Sequence, residues 1–121
     1  MAGNLLKPGD IILVHLPNHA PPGHEQEGER PVIVVGVPPE PVRFPLILVA
    51  PLTTRIGPWA QKNPLLYPCL PAGVGGLHSP SIVLLDQVRA LDLRRATHYI
   101  GTLDPASLEA IRRGLRAVLG L

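Results

Sequence analysis

Proline sets the grain of this chain: sixteen of its 121 residues are proline, spread from position 8 to position 105. A proline cannot donate to a β-ladder, and inside a helix it removes one hydrogen bond and clashes with the preceding turn. The sequence is therefore cut into short pieces, and short strands joined by stiff loops follow from that. With 45% hydrophobic against 17% charged residues, the chain reads as one folded globular domain over residues 1–121.

Taken in order, Lys7-Pro8-Gly9-Asp10 is a turn, and residues 11–16 form a β-branched strand. Residues 17–29, with three prolines and two glycines, read as a loop. A second strand covers 31–37, its unbroken apolar run implying burial on both faces. Pro38, Pro39 and Pro41 then forbid pairing. A third strand covers 44–52 and ends in Thr53-Thr54, and residues 55–64 read as a mobile loop. Short strands follow at 65–70, 81–85 (extended past a bend through 86–91) and 97–103, with a glycine-rich segment at 72–80.

The C-terminus carries the clearest helical signal. Asp104 is a good N-cap, Pro105 suits the first helical position, and Leu108, Ile111, Leu115, Val118 and Leu119 recur at helical spacing over 105–119. Arg112, Arg113 and Arg116 occupy the other face. Short strands at this spacing with one closing helix predict a mainly β fold, a small β-barrel with a C-terminal α-helix. The absence of strand–helix alternation speaks against a doubly wound nucleotide fold, and Gly73, Gly75 and Gly76 form no phosphate-binding motif.

Several function classes drop out on composition. The net charge of +2 is too small to argue for an anionic partner by itself, and four aromatics cannot form rows of stacking rings for a nucleic acid strand. The lone Cys69 excludes an internal disulfide or thiolate cluster and, beside Tyr67 and Leu70, reads as a small core residue. No secretory leader or apolar run of membrane-spanning length is present, so a cytoplasmic protein with no membrane partner is expected.

The segment richest in titratable groups is 22–35, where a polar turn carrying His24, Glu25, Glu27, Glu29 and Arg30 runs straight into an apolar strand. His15, His19 and His24 have a spacing that converges only on a helix, which Pro17, Pro21 and Pro22 forbid, so no metal is expected. A hydrolase triad lacks its Gly-x-Ser-x-Gly elbow. What the residues permit is acid–base chemistry on a phosphate: a base for a 2′-hydroxyl, an acid for the leaving 5′ oxygen, and donors around phosphorus. Arginine suits the phosphate through its planar fork. On residues alone, Arg30 could equally pair with Glu27 or Glu29 at the surface.

Five segments then occur in order: Pro8-Gly9-Asp10 with its strand; Gly23-His24-Glu25-Gln26 to Gly28, Arg30-Pro31 and the valines after it; Val49-Ala50-Pro51-Leu52-Thr53; Ser81 to Asp86 with Gln87-Val88-Arg89 and Leu91-Asp92; and the terminal helix. In this arrangement the chain resembles the PemK/MazF toxins, the endoribonucleases of bacterial toxin–antitoxin pairs. The resemblance implies an SH3-like barrel, a homodimer, a cognate antitoxin partner, and metal-independent, sequence-selective cleavage of single-stranded RNA without a cofactor. The products would be a 2′,3′-cyclic phosphate and a 5′-hydroxyl.

It also implies roles. Arg30 falls on the catalytic arginine and Thr53 on its partner hydroxyl, while Glu25, Gln26 and Thr54 fall on substrate-contacting positions. His24 matches the Kid/PemK branch, whose loop also reads Gly-His-Glu-Gln, and Asp86 aligns with that branch's proposed acid. The chain departs from the branch at Leu84, where an arginine is usual, so Arg30 with Thr53, assisted by His24 or Glu25, is the favoured set. Arg43, Arg55 and Lys62 could line an RNA path. The competing reading is a binder of the same fold that cuts nothing, such as a degenerate toxin or a gyrase poison resembling CcdB.

Overall fold

The structure, a computed structural model, describes residues 6–18 and 23–121. Its frame is one antiparallel sheet made from β1 (Asp10–Leu16), β2 (Gly28–Gly36), β3 (Leu46–Thr53), β4 (Cys69–Leu70), β5 (Ser81–Val83), β6 (Arg89–Asp92) and β7 (Ala96–Thr102). The strand order is β4-β5-β3-β2-β1-β7, with β6 also paired to β3. The sheet curls into a half-barrel, and α2 (Pro105–Leu119) packs against it.

Side-chain alternation splits the sheet into two cores. Ile11, Ile33 and Ala50 form one rung across β1, β2 and β3. They pack with Leu52, Leu85, Leu103 and Ile111 of α2. Their neighbours Ile12, Val14, Val32, Val34 and Val49 point the other way, into a second cluster with Leu6, Ile47 and Leu91. This is why the apolar run in β2 is unbroken: Val32, Ile33 and Val34 are all fully buried, on alternating faces. Each such side chain contributes about 1.5–3 kcal/mol on removal from water.

The helix forms as its sequence predicts. Asp104 accepts from the Ser107 amide at 3.1 Å and from the Ser107 hydroxyl at 2.6 Å. Those bonds hold its carboxyl below the ordinary carboxylate range. Pro105 opens the first turn and Gly120, left-handed at φ 72°, ends the last. Arg112, Arg113 and Arg116 are exposed. The Pro8-Gly9-Asp10 motif is a structural knot: buried Asp10 accepts from the Lys7 amide at 2.9 Å and the Thr102 hydroxyl at 2.8 Å.

Four expectations need correction. Residues 55–64 are not all loop: Pro58–Lys62 form a short helix, α1, started by Pro58 and anchored by buried Ala60. The strand expected at 65–70 shrinks to Cys69–Leu70, because Pro64, Leu66 and their neighbours turn instead. The segment after β5 does not extend it. A 3-10 turn at Leu85–Gln87 breaks the direction, and β6 crosses to pair with β3. Finally, Cys69 is exposed, since on this two-residue strand Leu70 takes the inward position.

Candidate active groove

The groove forms where β3 changes partner. Its first half, from Leu46 to Val49, pairs with β6, and its last residues, Leu52 and Thr53, pair with β5. The chain thus delivers Thr53 to the sheet's rim, beside the 3-10 turn that carries Asp86 and Gln87. A cavity of about 440 Å³ opens there, lined by His24, Gln26, Thr53, Arg55, Trp59, Tyr67, Leu84, Asp86 and Gln87. A second cavity of about 350 Å³ adjoins it and shares Gln26, Asp86 and Gln87, with Glu25 and Arg89 added.

One side chain fastens the loop that precedes β2. The Gln87 carboxamide oxygen accepts from the Gln26 amide at 2.8 Å, and its nitrogen donates to the His24 carbonyl at 3.2 Å. Both ends of one amide are used, which fixes its orientation and the loop's height over the groove. His24 and Glu25 are exposed, so their functional atoms remain open to solvent and to a ligand.

Across the groove, the Thr53 hydroxyl accepts from the Arg55 amide at 3.2 Å. An oxygen held in this way keeps its own proton for a second acceptor. Asp86 accepts from the Tyr67 hydroxyl at 2.7 Å. That bond, together with partial burial and the carboxylate's charge, raises the Tyr67 phenol above its ordinary value, so Tyr67 stays a donor.

Of the residues singled out from sequence, His24, Gln26, Thr53, Arg55 and Asp86 thus meet around one cavity, and Glu25 lines its neighbour. Two do not join them. Arg30 is exposed on β2, and its Nε donates to the Glu27 carbonyl at 3.0 Å. Thr54 is exposed and lines neither cavity. Arg43 lies over the ring of Phe44, 4.5 Å from its centre, away from the groove lining. Lys62 ends α1. Of the three histidines considered together, His15 lies on β1, His24 in the groove loop, and His19 outside the described residues.

The sequence gives Trp59 and Tyr67 no place in the groove, and Gln87 stands out there only as part of a family segment. In the structure Gln87 holds the His24 loop, with partners 61 and 63 residues away. For Trp59 the available signal was Gly57-Pro58, a helix start inside what read as open loop. Leu84, the position that departs from the Kid/PemK pattern, gives the groove an apolar wall.

The profile of the family described as PemK-like, MazF-like toxin of type II toxin–antitoxin system matches residues 7–119. Endoribonuclease EndoA of Bacillus subtilis (strain 168) is 30% identical over 118 residues, covering 97% of either chain. MazF from Deinococcus radiodurans superposes with a TM-score of 0.72 at 26% identity, over 96% of this chain and 97% of the other. A MazE–MazF structure from the same organism gives 0.69 at 28% identity, over 97% of each chain. An endoribonuclease solved with its cognate antitoxin, from mycobacterial species, shares the fold at 19% identity, with a TM-score of 0.70 over 96% of each chain.

Proposed function

Because the chain belongs to the PemK-like, MazF-like toxin family of type II toxin–antitoxin systems, we propose that it is an endoribonuclease that cuts single-stranded RNA in this groove. Cleavage is sequence-selective and needs no metal. It acts in the cytoplasm as a homodimer, and a cognate antitoxin silences it. One observation carries the reading: a histidine, an arginine, a carboxylate and a threonine hydroxyl line a single open cavity at a strand end.

In the proposed reaction a 2′-hydroxyl gives its proton to a base, and its oxygen attacks the adjacent phosphorus. The bond from phosphorus to the 5′ oxygen breaks, and an acid returns a proton to that oxygen. A 2′,3′-cyclic phosphate and a 5′-hydroxyl result, with no water consumed. His24 and Glu25, exposed on the clamped loop, are suited to the two proton transfers. The Thr53 hydroxyl donates to a phosphate oxygen. Arg30 neutralises the charge that builds on the phosphate, which requires its guanidinium to leave the Glu27 carbonyl by a rotamer change on an exposed strand position. Gln26, Thr54, Arg55 and Asp86 hold the substrate on either side.

Support for a silencing partner comes from the relatives solved with antitoxin. Among the described residues no helix is long and apolar enough to cross a membrane.

The test is incubation of the purified protein with a long single-stranded RNA in excess EDTA, followed by mapping of new 5′ ends. Cuts should recur at one short sequence and leave 5′-hydroxyls. Thr53→Ala and Arg30→Ala should each slow cutting by about 10²–10³, the usual cost of one donor at a developing charge. Intact RNA in the presence of folded, dimeric protein would favour the non-cleaving binder, and gyrase inhibition would then be assayed.

A further inference from the structure

Two of the chain's four aromatic residues meet at the groove, and the proposed reaction uses neither ring. Trp59 and Tyr67 stand with ring centres 4.9 Å apart and planes at 86°, so they do not stack on one another but form two walls of a corner. The corner is built. Ala60 seats α1 against Ile82 and Leu84, with Tyr67 packed on the same cluster. The indole lies over Gly57, where any Cβ would collide with its Nε1 edge. Tyr67 is fixed at its other end by the 2.7 Å bond to Asp86. Trp59 nevertheless remains 40% exposed, an unusual state for the chain's one tryptophan. The remaining aromatics stand apart, Phe44 under Arg43 and Tyr99 on β7.

We propose that this corner is a nucleobase subsite: one base of the RNA stacks on the Trp59 indole with its edge toward Tyr67, next to the phosphate held at Thr53. A flat apolar wall beside a cation, here Arg55 in the same lining, matches the amphipathic build of a nucleotide. Stacking on an aromatic face is tolerant of base identity. The corner therefore sets where the strand sits along the groove, and the loop carrying His24 and Gln26 is left to discriminate sequence. The inference rests on the ribonuclease reading and adds to it a second, separable anchor.

The experiment uses the short sequence recovered from the cleavage map, made as an oligonucleotide with a 2′-O-methyl group at the scissile nucleotide so that it binds without being cut. Because Trp59 is the chain's one tryptophan, its emission reports the corner directly. Binding should quench it, and replacing one particular flanking nucleotide by an abasic residue should abolish the quench. Trp59→Ala should weaken cleavage of the intact RNA by about 5- to 150-fold, mainly through KM, and Trp59→Phe by less. On the abasic RNA, Trp59→Ala should cost little further.

The proposal is overturned if the oligonucleotide binds by anisotropy while emission is unchanged, or if Trp59→Ala cuts as well as the parent. Failure of the ribonuclease reading looks different: no RNA is bound or cut by the parent protein at all.

Discussion

The packing beneath α2 and the groove at the end of β3 are made from different materials. Beneath α2, position is set by many apolar side chains, among them Ile11, Ile33, Leu85 and Ile111, none of which is unique in chemistry. In the groove, the loop and the polar lining are set by a few polar atoms: one Gln87 carboxamide, one Thr53 hydroxyl, one Asp86–Tyr67 bond. Apolar packing is redundant, cooperative and felt by the whole molecule. Polar fastening at a rim is local, and its loss opens a loop without unfolding the sheet. Substitutions in the two regions should therefore differ in kind as well as in size.

The largest effect is expected at Ile111, fully buried on α2. Ile111→Ala should lower the unfolding free energy by about 2–5 kcal/mol, read as a lower urea midpoint, with RNA cleavage per folded molecule unchanged. Next comes Gly114, on the same helix, where an added methyl would overlap Leu85 and the Leu65 carbonyl. An exposed helical glycine gains about 1 kcal/mol on change to alanine. Here Gly114→Ala should instead lose about 1–3 kcal/mol, because a backbone carbonyl cannot rotate away.

The smallest and most local effect is expected at the clamp. Gln87→Leu should leave the urea midpoint within about 1 kcal/mol of the parent, while the Gln26 amide, which donates to Gln87, exchanges its hydrogen about tenfold faster. Cleavage should fall by a similar factor as the His24 loop loosens. A Gln87→Leu protein that unfolds as easily as Ile111→Ala would abolish the distinction between the two regions. Unchanged exchange at Gln26 would show that the loop is held by something other than the clamp.

This difference also explains what could be read from the chain. The helix over 105–119 was legible to the residue, because its cap, its proline and its apolar stripe are all local signals. The double-faced burial of β2 is legible from its unbroken apolar run, Val32 to Val35. Residues His24, Gln26, Thr53, Arg55 and Asp86 are singled out by their chemistry or by family resemblance, and they line one cavity. Short range ends there. Nothing in the composition of residues 55–64 signals that α1 rests on Ile82 and Leu84, and nothing near Gln87 signals a partner 61 residues back. Cys69 was misplaced for a related reason: on a two-residue strand, which side chain points inward depends on the neighbouring strand's register.

The clamp has a consequence for how the protein is made. Synthesis proceeds from the N-terminus, so the His24 loop and Thr53 leave the ribosome well before the residue that fastens the loop and before β5, which pairs with the end of β3. A nascent chain that has not yet released residues 81–87 carries most of the proposed site residues without the groove that gathers them. If the molecule acts on RNA as proposed, its groove is assembled only once residues 81–87 are free to pair with the end of β3 and to hold the His24 loop.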